Sequence, residues 1–487
     1  MNMHLSKSRY KRGLHCNKQL WLSTHKYNLG NYEKNFSALI GDFVGIGATE
    51  MYQNGKMVDT PFNKHEEAIE QTLELINDIK VGAIFEAAFS FDNINIRVDI
   101  LERLENNCWG IREVKSSKSI KDSYIHDISI QYFVLKKLNY QISSAQIIYV
   151  NGDYLLNNNE IEWNNFFLKS EYKDLIENNI KDIVDNIVFL KNIQTSDLEP
   201  NVLPGKTFCG GCEFWDYCTK DKPKDWIANI PRLHKSKKKI LEEKNIESIS
   251  KIPNDFPLTE NQQIIVDSFK NNKIFKTKKF YNDFKKFKPP IYFFDFETLS
   301  TAVPTVNNTK PFEKLPFQWS LHHLDSNGNV NHWEFLATEK KDYRKDCIEK
   351  LINIVSKDSS KIVVYNQSFE KSILKQLGDI FPELVEFTND IINRVIDLKV
   401  FINDNYYHPG FQGSYSLKKV LPALLPKEKK YNEGEVSDGE QAQESFYNLL
   451  FVEKNLENKK IITQNLLDYC KKDTESLLLI YQYFEGL

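Results

Sequence analysis

Two pairs of carboxylates lie on segments that read as strands, each pair spaced to share one cation. Asp99 stands in the run INIRVDIL, and Glu113 and Lys115 stand in the next run, GIREVKSS. Side chains alternate along a strand, so Glu113 and Lys115 share a face. A turn at Glu105-Asn106-Asn107 would fold the second run back beside Asp99. Two carboxylates so placed can hold Mg²⁺ or Mn²⁺, which prefer oxygen ligands. A lysine beside them can orient water and stabilise charge developing on a phosphate. In IYFFDFETL, Asp295 and Glu297 again share one strand face, and LLDYCKKDTES sets Tyr469 and Asp473 one helical turn apart.

A third constellation is made of thiols. Three of the seven cysteines, Cys209, Cys212 and Cys218, form C-x₂-C-x₅-C, and Gly210 and Gly211 relieve crowding in the tight turn between the first two. Thiolates at such spacing can wrap one metal centre. A fourth ligand is needed, and Cys16 in KRGLHCNKQLWL is the natural candidate. Cys108, Cys347 and Cys470 read as ordinary buried thiols.

The elements that must position these groups follow from periodicity. Residues 1–80 read as mostly helical. The segment from Ala83 to Lys118 turns to strands, a helix follows over about 121–138, and SAQIIYV reads as a further strand. From Pro289 onward, strands near IYFFDFETL, WSLHHL, NHWEFLA and IVVYN alternate with helices, an α/β pattern. Between these parts lies a lysine-rich segment, 221–288. From Lys270 to Lys288 it carries eight lysines against one aspartate, interleaved with Phe275, Phe280, Tyr281, Phe284 and Phe287. It reads as a basic helical linker, or as a surface that grips a nucleic-acid backbone and stacks on bases.

Asp99, thirteen residues, then Glu113-x-Lys115 and a helix resembles the RecB-like branch of the PD-(D/E)XK nucleases. The resemblance implies that Gln131, in DISIQYFVL, completes the site. The tyrosine usual four residues later is absent, since Leu135 stands there, and no upstream metal-binding histidine is apparent. Glu86, in FEAAF, is the local candidate for an extra ligand. One distant N-terminal cysteine plus a trio resembles the [4Fe–4S] arrangement of cluster-bearing RecB-like nucleases, with Cys16, Cys209, Cys212 and Cys218 as ligands. Zinc is the alternative for the same four thiolates.

The strand pair Asp295 and Glu297 with Tyr469-x₃-Asp473 resembles the DEDD exonucleases of the DnaQ-like, RNase H-like group. The resemblance implies four carboxylates holding two metal ions, with Tyr469 orienting the attacking water. The middle motif departs from the family pattern: Asn366-Gln367-Ser368-Phe369-Glu370 puts glutamate where aspartate is usual, and Asp397 is a second carboxylate able to approach. The stretch 406–426 is similar to a bacterial family of uncharacterised function that joins a RecB-like half to a DnaQ-like half.

The expectations are therefore a RecB-like domain over 1–220 with a four-cysteine cluster, a basic helical linker over 221–288, and a DnaQ-like domain over 289–487. The activity expected is metal-dependent hydrolysis of DNA phosphodiester bonds at a free end, in two separate sites. The alternatives are a nucleic-acid-binding adaptor with one or both sites inactive, and an RNA-processing exonuclease. Charge decides little, because 64 basic and 67 acidic residues leave a net charge of −3 over 487 residues. With no apolar run near the ~18 residues needed to span a bilayer and no signal-like opening, the expected location is the cytoplasm, away from membranes.

Overall fold

The computed structural model of the chain describes residues 4–32, 36–206, 208–426 and 436–487. It is mixed α/β and separates into two units, Met1–Lys220 with Thr301–Glu313, and Asp221–Ser300 with Lys314–Leu487.

The first unit is built on a sheet of β1 (Leu5–Ser6), β2 (Gly55–Met57), β3 (Ala83–Phe91), β4 (Ile94–Arg103), β5 (Trp109–Lys115), β6 (Ile142–Val150) and β7 (Phe167–Glu171). The order is β2-β3-β4-β5-β6-β7, with β1 running parallel to the start of β4. Asp92 and Asn93 both take left-handed backbone, φ 47° and 57°, which a two-residue hairpin of primed type requires. They set the antiparallel register of β3 on β4. β5 and β6 are parallel, so a crossover must join them, and it is a helix.

The helices before and within this sheet are α1 (Lys7–His15), α2 (Asn17–His25), α3 (Phe36–Thr49), α4 (His65–Asn77) and α5 (Asp122–Lys137). α5 is the crossover. Asp122 in its first turn and Lys136 and Lys137 in its last complement the helix dipole. Ile128, Ile130, Val134 and Leu135 bury it in the same core as Ile96 and Val98 of β4, Ile111 of β5 and Ile147 of β6.

The second unit carries β8 (Phe275–Lys276), β9 (Ile291–Leu299), β10 (Leu315–Leu324), β11 (Val330–Leu336), β12 (Lys361–Val364), β13 (Val395–Asp397) and β14 (Tyr406–Tyr407). Five of them form one sheet in the order β11-β10-β9-β12-β13, and β8 pairs with β14. β9 is central, antiparallel to β10 and parallel to β12. That explains its nearly unbroken apolar run, since such a strand is covered on both faces. The helix Leu456–Glu485 packs on β9 and β10. It is capped by Asn455, whose side chain accepts from the backbone N–H groups of Glu457 and Asn458.

Residues 221–288 do not stand apart as a linker. They carry several short helices, and Ile265, Phe280 and Phe287 lie in the core of the second unit with Phe293, Phe401 and Tyr481. The aromatics between the lysines are therefore mostly core groups, while Tyr281 stays exposed. Among the described residues, no helix is long and apolar enough to cross a membrane.

Candidate active sites

Asp99 and Glu113 project from neighbouring strands and meet where β5 passes β4. Asp99 Oδ2 accepts from the backbone N–H of Val114 at 2.8 Å. Lys115 Nζ lies 2.6 Å from Glu113 Oε1 and 2.7 Å from Asp127 Oδ2. Gln131, fully buried on α5, donates from Nε2 to Glu113 Oε2 and, at 2.9 Å, to the carbonyl of Asp127. The expected residues Asp99, Glu113, Lys115 and Gln131 are thus brought together.

Glu86 joins them through a distorted backbone. It sits on β3 between the pairs Phe85–Ile100 and Ala87–Val98, across from Asp99, with φ at 56°. A left-handed non-glycine residue inside a strand is strained, and such strain concentrates at functional sites. Burial, and then the charge of Asp99, push the Glu86 carboxyl up to about 7.

Two residues of this site carried no weight in the sequence reading. Lys7, on α1, places Nζ 2.9 Å from Asp99 Oδ1 and 3.2 Å from Glu113 Oε2. Asp127 precedes Gln131 by one turn of α5, a spacing that would have pointed to it once Gln131 was chosen. For Lys7 there was no such signal. Burial works against ionisation of Glu113, yet Lys7 and Lys115 outweigh it and hold that carboxyl down at about 2. Asp99 is pushed upward, by burial and then by Glu113.

The second constellation converges more tightly. Asp295, Glu297 and Asp473 each bring a carboxylate oxygen within 4.8 Å of the others, the one such group of three metal-ligating residues among those described. Asp295 pairs with Ser320 and Glu297 with Gln318 across β10. The C-terminal helix lays Asp473 and, one turn earlier, Tyr469 over the same face. Burial and then the charge of Asp473 raise Asp295 well above the carboxylate range and Glu297 to about 8. Asp473 itself is pushed by burial to about 7. Tyr469 is held firmly protonated by burial and by Glu297 and Asp295.

Glu370 is 2% exposed, and its Oε2 has no hydrogen-bond partner among the described residues. Its charge is felt by both Asp295 and Glu297, although it lies outside the group of three. Burial, with Asp397 nearby, raises it to about 8. Asp397 is already engaged, accepting from the backbone N–H of Gln367 at 2.9 Å and of Val400 at 3.1 Å. Lys418 and Asp438 also face the site: Lys418 offsets the negative charge on Glu297 and Asp473, and Asp438 adds to it. Neither was singled out as a ligand or catalytic group from sequence.

Cys16, Cys209, Cys212 and Cys218 line one small pocket, of about 20 Å³, with His15, Phe208 and Trp215. Burial pushes the Cys212 thiol up to about 11 and raises Cys16 and Cys218. Around the pocket, the N-terminal helices are tied to residues 194–213. Trp21 Nε1 donates to the Ser196 carbonyl at 2.8 Å, Gln19 to Glu213 at 2.7 Å, and Arg12 pairs with Glu213 at 3.0 Å.

Residues 292–416 match the model of a family described as a domain of unknown function, DUF2779. The chain is also similar to an uncharacterized Mycoplasma genitalium protein, MG366, at 28% identity over 43% of this chain and 34% of that protein. It is similar to an uncharacterized Ureaplasma parvum protein, UU173, at 26% identity over 48% of this chain and 36% of that protein. The chain thus spans about a third of the length of these relatives.

Proposed function

We propose that the chain is a metal-dependent nuclease that hydrolyses nucleic-acid phosphodiester bonds, DNA with a free end being the favoured substrate, in two separate sites. The observation that carries this reading is the meeting of Asp295, Glu297 and Asp473 within 4.8 Å. Half-buried carboxylates this close repel when ionised and are costly to keep without a cation. Oxygen-only donors suit Mg²⁺ or Mn²⁺. Glu370 Oε2, which has no hydrogen-bond partner among the described residues, fits a further ligand position.

In the second site Asp295, Glu297 and Asp473 would hold the metal, with Glu370 in support. The bound ion would supply Lewis-acid polarisation of the phosphate and acidify a water. Tyr469 keeps its proton and can donate a hydrogen bond to orient that water. In the first site Asp99, Glu113 and Glu86 offer the oxygens. Lys115 stays charged beside Glu113 and Asp127 and presents a fixed positive charge to a phosphate oxygen. Gln131 fixes Glu113, and its own Oε1 is buried with no partner among the described residues.

The four thiols could hold a [4Fe–4S] cluster, with one zinc ion as the alternative for the same four ligands. Ligation of either centre would deprotonate thiols that burial otherwise keeps neutral.

A second reading has one specific observation behind it. Lys7 and Lys115 already neutralise Asp99 and Glu113, so the first site is stable without metal and could bind strands without cutting them. Cleavage of end-labelled single- and double-stranded DNA and RNA with Mn²⁺ or Mg²⁺, by anaerobically purified protein, tests both readings. No shortening of any substrate, with binding retained in EDTA, would replace the nuclease by an adaptor.

A further inference from the structure

Beside the first site, Lys11, Arg12, His15, Gln19, Ser123 and His126 line an open groove of about 500 Å³. Its walls are α1 and the start of α5, which pack against each other. Lys11 Nζ stands 3.4 Å from Asp127 Oδ2, the carboxylate that also holds Lys115. The groove therefore adjoins the candidate site through the carboxylate of Asp127, which Lys11 and Lys115 share. At its other end, His15 and Gln19 are shared with the thiol pocket.

We propose that this groove is the track of an unpaired nucleic-acid strand leading to Asp99, Glu113 and Lys115. The inference rests on the nuclease reading of that site and adds where the strand lies and that it is single. Three observations support it. First, the lining is cationic and donor-rich, with no acid among its seven residues and Leu14 its one aliphatic side chain, as a phosphate backbone requires. Lys7 and Lys11 lie one turn apart on α1, so one helix carries positive charge from inside the site outward along the groove. Arg12 is braced by Glu213 at 3.0 Å, which fixes its guanidinium at little further entropic cost, whereas Lys11 is half exposed and able to reach a phosphate.

Second, the chemistry is recessed. Glu113 is 1% and Asp127 2% exposed, so the scissile phosphate must dip into the molecule. Third, packed helices stand with axes about 8–10 Å apart. One backbone can lie along the surface groove between them, but both backbones of a duplex cannot enter it together.

The test uses the full chain in EDTA and a fluorescein-labelled single-stranded oligonucleotide, with anisotropy followed over a salt titration. Lys11→Gln should weaken binding about fivefold at low salt and lower the slope of log K against log salt by about 0.7, one phosphate contact on a single strand. Lys64→Gln, on a surface lysine paired with Glu67, should match wild type. The photocrosslinker p-benzoylphenylalanine at position 11 should capture the strand, and at position 64 it should not. That second readout holds even if the other unit contributes most of the affinity.

Absence of a crosslink at position 11, with an unchanged slope, overturns the track. If wild type still cuts DNA with Mn²⁺ in that case, the nuclease reading survives and only the track is lost. Equal crosslinking to a blunt duplex would overturn the unpaired-strand assignment.

Discussion

Lys7 Nζ sits between the carboxylates of Asp99 and Glu113, 2.9 Å from Asp99 Oδ1 and 3.2 Å from Glu113 Oε2. A cation from α1 thus offsets the repulsion of two acids that would otherwise share a recess, and any metal entering there must compete with it. Lys7→Ala should therefore do two opposite things. The metal-free protein should lose about 1–3 kcal/mol, because a buried charge loses its partner, while the rise in melting temperature on adding Mn²⁺ should be larger than in wild type. A thermal-shift titration measures both, and an unchanged or smaller Mn²⁺ response would mean that Lys7 does not compete with the ion.

The two sites should be separable by mutation. Lys115→Ala removes the fixed positive charge beside Glu113, and Asp295→Ala removes one of the three converging carboxylates in the other unit. Each should abolish one set of products and leave the other, with a fall of about 10²-fold or more in the affected rate. Product ladders from substrates labelled at the 5′ or 3′ end would show this. If only one substitution matters, the other site is a binding site.

Much of this was legible in the sequence, and the reason is local. Asp99, Glu113 and Lys115 follow the two-residue period of strands, and Tyr469 and Asp473 the four-residue step of a helix, so each pair's shared face is fixed by elements that form where periodicity puts them. Lys7 was not legible, because nothing short-range tells which of many lysines will cross to a strand nearly a hundred residues away. The segment 221–288 misled for another reason. Its lysines advertise a solvated linker, while Phe280 and Phe287 turn inward; high charge hides an amphipathic pattern when the apolar positions are few and large. Nor did composition mark Thr301–Glu313, whose backbone bonds Leu156 through Asn308 and Thr309.

The acidic site should make stability depend on pH in an unusual direction. Glu297 and Asp473 are raised to about 8 and about 7, against ~4 for carboxyls in an unfolded chain. The folded state therefore binds protons more tightly than the unfolded one. The stabilisation is complete below about pH 4 and is lost as pH rises through 7–8. In EDTA, the melting temperature of the second unit should fall between pH 5.5 and pH 8, and Mn²⁺ should restore it most at pH 8. A flat profile in EDTA would mean that the carboxylates are already compensated by other groups.

The thiol pocket should report its metal directly. Protein purified without air should contain about four irons per chain and absorb visible light, and Cys16→Ser or Cys212→Ser should lose both. Because α1 and α2 are tied to residues 194–213 around this pocket, loss of the centre should also lower the melting temperature of the first unit. One zinc per colourless chain would assign the same four ligands to zinc.

Glu370 separates stability from function within one residue. It is 2% exposed, its Oε2 has no partner among the described residues, and burial raises its carboxyl to about 8. Such a group costs the fold whenever it ionises. Glu370→Gln keeps the shape and removes the charge, so it should hold or raise the metal-free melting temperature at pH 8 while weakening the response to Mn²⁺. Glu370→Asp shortens the side chain but keeps an anionic carboxylate, and it should retain more activity than Glu370→Gln. If Gln and Asp variants cut equally well, Glu370 takes no part in holding the ion, and the second site works with Asp295, Glu297 and Asp473 alone.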